Sequence, residues 1–207
     1  MKKIVIPLCC VLVVSLYAGI FGTNQGDSIY NKIIRFHVIA NSDSVQDQAL
    51  KLKVKDNILQ FISPKLKNSK SIEETRRILQ ENDKEICAIA LNTIKGNGYS
   101  YSVGSSLLRE NFPPKSYGNI TLPQGNYEAY KVVIGEGKGK NWWCVMFPPL
   151  CFVDITKGTV AYKETEQKMK TVLTDRQFEE INNTSNVVQL KFKIFEIISK
   201  IKQRAAK

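Results

Sequence analysis

The sequence predicts a single α+β domain: a largely antiparallel sheet, two long helices near the N-terminus and a C-terminal strand followed by a helix. Two observations carry this. An apolar, β-branched run at 32–40 precedes two long stretches whose apolar residues recur three and four apart. After them the pattern changes to short runs of period two, separated by Gly, Pro and Asn.

In order, the chain opens with Lys2 and Lys3 and then carries no charge from Ile4 to Phe21. That is the layout of a secretory signal peptide, and it is long enough to span a bilayer if left uncut. Residues 1–22 thus read as a signal peptide or an N-terminal membrane anchor, 23–31 as a linker and 32–207 as an exported domain. Cys9 and Cys10 follow Leu8, where lipid attachment needs a small residue. Residues 32–40 (KIIRFHVIA) read as a strand with Arg35 and His37 on one face and Phe36 and Val38 on the other. The turn formers at 41–44 stop it, and Ser44 with Asp47 has capping-box spacing for a helix over 45–62. Leu50, Val54, Ile58, Phe61 and Ile62 form its inner stripe, Lys51, Lys55 and Gln60 point away, and Pro64 ends it. Ser71 and Glu74 open one helix to about residue 95, where Gly96, Asn97 and Gly98 stop it. Residues 99–103 alternate as a strand, and 104–126, with Pro113, Pro114 and Pro123, read as an irregular excursion. Residues 127–134 and 141–147 read as a β-hairpin around GEGKGK at 135–140. The stretch 156–186 reads as a loop with a short helix begun by Thr174 and Gln177, 188–194 as a strand and 195–204 as a helix.

The formal charge is +11, and removal of 1–22 lowers it only to +9. A basic exported domain can dwell at anionic lipid, at anionic wall polymers or against an acidic partner; export excludes nucleic acid. The abundance of Lys, Ile and Asn also allows part of this charge to be compositional and solvated.

The densest segment is NWWCVMFPPLCFVD, 141–154, directly after the glycine-lysine loop. Trp142 and Trp143 are adjacent, so a strand points them to opposite faces. Either one indole stands outside as an interface anchor or both are covered by the protein's own elements. Cys144 and Cys151 could form a disulfide across Pro148 and Pro149, while Cys87 reads as a small core residue.

Signs of catalysis are few. GEGKGKN lacks the first Gly and the final Ser or Thr of a phosphate-binding loop, and reads as a flexible basic loop whose Lys138 and Lys140 could meet an anionic partner. His37 is the only histidine, which excludes a two-histidine metal site. The one nucleophilic set available is His37 with Cys144 or Cys151, oriented by Asp43 or Asp154, as in a Cys-His envelope hydrolase. No signature surrounds either cysteine, so no catalytic residue, metal or cofactor is assigned. Arg35 and His37 read instead as an outward polar patch or a satisfied part of the sheet, Arg35 towards the surface, with Asn41 and Asp43 in a core or capping role off the strand's end.

RFHVIANSDSVQDQALKLKVKD (35–56) and LPQGNYEAYKVVIGEGKGKNWWCVMFPPLCFVD (122–154) closely resemble the stage II sporulation protein R family of endospore-forming bacteria, and VQLKFKIFEII (188–198) resembles its strand-helix ending. These blocks span about a third of the chain, whereas 157–186 departs from the family pattern. The resemblance implies a signal made in the forespore and exported into the intermembrane space. There it would trigger a membrane-embedded aspartic protease to cut the pro-sequence from the mother-cell sigma factor, sigma-E. The expected contact residues are Arg35, His37, Asn41 and Asp43 at one edge and Lys138, Lys140, Trp142 and Trp143 on the hairpin.

Overall fold

The computed structural model describes residues 28–153 and 159–182. The N-terminal leader, Asp154 and the C-terminal strand and helix expected from the sequence lie outside them.

A four-stranded sheet organises the chain. Its strands are β1 (Ile34–Ile39), β2 (Val103–Phe112), β5 (Gly125–Ile134) and β6 (Asn141–Phe147), in spatial order β2-β5-β1-β6. β3 (Lys115–Tyr117) and β4 (Ile120–Leu122) form a separate two-stranded ribbon. The pairings β2–β5 and β1–β6 are antiparallel, and β1–β5 is parallel. The sheet is therefore mixed around its central strand. β1 is an inner strand covered on both faces: Ile34, Phe36 and Val38 enter the helix-side core, and Arg35 and His37 are buried on the other side.

β5 and β6 are not a hairpin, contrary to expectation, because β1 lies between them. Two interstrand spacings amount to only about 10 Å, within reach of six loop residues. The sequence signal for a tight pair and for this split pair is the same. Residues 104–126 also differ from the irregular excursion expected. β2 runs to Phe112, and β3 and β4 follow. As an edge strand β2 is mostly half-exposed, so its alternation is diluted.

Three helices cover one face. α1 (Val45–Leu66) buries Leu50, Val54, Ile58, Ile62 and Leu66, a stripe at every fourth residue. It runs past the expected stop, with Pro64 in its last turn. Pro64 removes only the bond to Gln60 O, and Gln60 is exposed to water. The second predicted helix is two, α2 (Ile72–Glu81) and α3 (Asp83–Gly96). Asn82 separates them by donating its side-chain amide to Ile78 O at 2.7 Å, in competition with the helical backbone. Leu79, Ile86, Ala90 and Ile94 pack with α1 against Phe36, Val38, Tyr130, Val132 and Met146. Each fully buried side chain of this kind contributes about 1.5–3 kcal/mol. Arg76 adds a two-point bond to Glu128 (2.7 and 2.8 Å), tying α2 to β5.

On the opposite face, α4 (Thr159–Lys170), α5 (Asp175–Ile181) and the β3–β4 ribbon enclose a second core around Ile33, Phe112, Tyr127, Val145 and Phe178. The Thr174–Gln177 start is a full capping box, whereas α4 occupies a stretch that the sequence predicts as loop. Among the described residues no helix is long and apolar enough to cross a membrane.

Candidate functional site

The residues after β1 and the loop between β5 and β6 form one polar knot. Asn41 Oδ1 accepts from Glu136 N at 3.0 Å, and Asp43 Oδ1 accepts from Lys140 N at 2.6 Å. Lys138 N and Gly139 N donate to Asn41 O and Ala40 O at 3.1 and 3.0 Å. The loop is thus clamped across the end of β1 rather than free. Two of its glycines are required by geometry. Gly135 has φ +57°, a conformation side chains rarely adopt, and a Cβ on Gly139 would lie 2.2 Å from Ser42 O.

Asp47 supports the knot from the first turn of α1. Asn41 Nδ2 and Ser42 Oγ donate to its Oδ2 at 3.0 and 2.6 Å, and its own N–H donates to Ser44 Oγ. The Ser42 hydroxyl foremost, then Asn41 and Tyr101, hold its carboxyl below the usual range, against an opposing push from burial. Lys51 does not point away as expected. It is buried and donates to Lys140 O (2.9 Å) and Gln48 Oε1 (2.6 Å), and burial lowers its ammonium pKa. What the knot presents outward is charge: Lys138 and Lys140 are exposed, with Lys138 paired to exposed Glu136.

Arg35 and His37 share a face of β1, but that face is inside, not an outward patch. Arg35 has no accessible surface, and its guanidinium sits over Phe112, Tyr127 and Tyr117, 4.4, 5.0 and 5.9 Å from their ring centroids. Nη2 donates to Tyr117 Oη at 2.9 Å, while Nε and Nη1 have no hydrogen-bond partner among the described residues. Aromatic faces compensate this buried cation in place of a carboxylate. His37 is stacked on Trp143 (5.1 Å, 8° between planes) and meets Phe112 edge-on. Glu110 Oε2 stands 3.1 Å from His37 Nε2, and neither ring nitrogen makes a well-formed hydrogen bond among the described residues. Burial dominates and lowers the His37 pKa to about 4; Glu110 opposes it, and Lys131 and Arg35 reinforce it. Glu110 itself is ion-paired to Lys131.

The tryptophans lie on opposite faces, and both are half-buried. Trp142 packs edge-on against Phe36 under Lys55, and Trp143 packs between His37 and Phe112 with Lys115 near its ring. Each indole therefore presents a partial surface beside a lysine.

Cys144 and Cys151 are disulfide-bonded, with Cα atoms 5.5 Å apart, and the Phe147–Pro148 peptide between them is cis. Cys144 sits with Phe36 in the helix-side core, while His37 faces the other way. With its cysteines in a disulfide and on the far side of the sheet, the Cys-His hydrolase set is not assembled. Asp43, one of its two candidate orienting acids, instead holds the loop, and the other, Asp154, lies outside the described residues. The ring partners Phe112, Tyr117 and Tyr127 and the ion pair Glu110–Lys131 were not foreseen. They come from separate strands, and no local motif marks them.

These features coincide with the region that other proteins match. A family model described as stage II sporulation protein R matches residues 30–157, from just before β1 to six residues past Cys151. Stage II sporulation protein R of Bacillus subtilis (strain 168) is 36% identical over 191 residues, covering 87% of this chain and 85% of that protein. No solved structure matches significantly. With its sheet, knot and tryptophan strand all inside the matched span, the chain belongs to the stage II sporulation protein R family.

Proposed function

We propose that this protein is an exported sporulation signal that activates a membrane-embedded aspartic protease and thereby triggers processing of pro-sigma-E in the mother cell. It acts as a ligand and not as a catalyst. The observation that carries the reading is the clamped basic loop, which holds Lys138 and Lys140 outward at the end of the strand bearing Trp142 and Trp143. A surface held in place by hydrogen bonds loses little entropy on binding, so it can favour one arrangement of its partner through differential affinity. Asn41 and Asp43 clamp the loop that carries this surface, His37 stacks on Trp143, and Arg35 packs against Phe112, which Trp143 also touches. The leader, retained or removed, would place the domain in the intermembrane space, where its charge also permits peripheral contact with anionic membrane or wall.

The test is pro-sigma-E processing in cells co-producing the protease with wild type, Trp142→Ala, Trp143→Ala or Lys138→Glu/Lys140→Glu. Each variant is first shown to be folded and exported. Loss of processing in the tryptophan or the lysine variants supports the reading; wild-type processing from all of them would sink the proposed surface.

A further inference from the structure

A cleft separate from the loop lies between the α1–α2 connection, the Pro148–Pro149 turn and the end of α4. Its volume is about 440 Å³, inside the range of roughly 300–1,000 Å³ typical of ligand sites. Lys67, Lys70 and Lys168 contribute its charge, and Phe147, Pro148 and Val172 its apolar lining; among the described residues no acidic side chain lines it. Lys168 is held in place by Glu164 (2.9 Å) and by donation to Pro149 O (3.1 Å). Lys67 and Lys70 are exposed, and neither ammonium is ion-paired among the described residues, while the Lys70 backbone N–H donates to Glu74 Oε2 at 2.8 Å. The disulfide between Cys144 and Cys151 closes the loop that carries the proline wall.

We propose that this cleft docks an extended acidic segment of a protein partner, with carboxylates on Lys67 and Lys70 and an apolar side chain against Phe147, Pro148 and Val172. Charge complementarity selects the acidic class, and the apolar lining requires a side chain between the acids. A recess walled by three elements, with its apolar lining set between them, fits a narrow peptide better than a flat bilayer. The proposal deepens the signalling reading and rests on it for the existence of a protein partner.

The experiment is a fluorescence titration of the purified protein with a labelled, end-capped hexapeptide of alternating glutamate and leucine. Wild type and Lys84→Glu/Lys95→Glu, which makes the same charge change at exposed positions on α3, are expected to bind alike. Lys67→Glu/Lys70→Glu is expected to bind at least tenfold more weakly. Lys67→Gln/Lys70→Gln, intermediate in effect, serves if charge reversal disturbs the fold. Equal binding by all variants, or no binding by wild type, overturns the proposal. Binding to phosphatidylglycerol vesicles that depends on Lys67 and Lys70, without peptide binding, overturns it in favour of a lipid surface. The titration contains no protease, so its failure is distinguishable from failure of the signalling reading in the processing assay.

Discussion

Acidification from pH 7.5 to 5 is expected to destabilise the fold through His37. This residue has a folded-state pKa of about 4 against an ordinary 6.5, chiefly because it is buried between Trp143 and Phe112. The unfolded chain takes up the proton first, so stability is full above about pH 6.5 and falls as the pH drops towards 4. The whole shift corresponds to about 3 kcal/mol, of which about 2 kcal/mol is lost by pH 5. With a urea dependence of about 2 kcal/mol per molar, the denaturation midpoint drops by about 1 M. Asp47 and Glu136 have lowered carboxyl pKa values, so their contributions are lost only below the ordinary carboxylate range, outside this window. The assay is urea denaturation of wild type and His37→Gln at both pH values, together with the NMR titration of the sole histidine. A His37 that titrates near 6.5 in the folded protein, or a wild-type pH response no steeper than that of His37→Gln, would refute the reasoning.

The knot and its strand yield three further predictions. Gly139→Ala places a methyl against Ser42 O, so the loop must shift; hydrogen exchange at Lys138 and Lys140 amides should accelerate at least tenfold while the helices stay protected. Asp47→Ala removes the acceptor shared by Asn41 and Ser42 and should cost about 2–3 kcal/mol in urea denaturation. Cys144→Ser/Cys151→Ser opens a short loop and should cost about 2.5 kcal/mol, read as the stability difference between the oxidised wild type and the variant.

Much of the site was legible residue by residue, but not in its geometry. Asn41 and Asp43 could be read as turn formers with a capping role, and GEGKGK as a basic loop. Their mutual clamp depends on β1 entering between β5 and β6, and no local pattern encodes that insertion. Arg35 illustrates the opposite difficulty. A cation normally marks a surface, but Phe112, Tyr117 and Tyr127 come from three other strands to cover it. The alternation of β1 correctly placed Arg35 and His37 on one face; whether that face was wet or dry depended on what packed below.

What the sequence by itself determined is local and periodic: the strand at β1, the amphipathic stripe of α1, the capping residues Ser44, Ser71 and Thr174, and the opposite faces of Trp142 and Trp143. Side-chain spacing and short-range hydrogen bonds suffice for these, because every interacting group lies within a few residues. Only the tertiary structure decided the strand order, the burial of Arg35 and His37, the role of Lys51 and the cleft beside Pro148. Each depends on groups brought together from distant parts of the chain, and burial and charge compensation arise only once those groups meet.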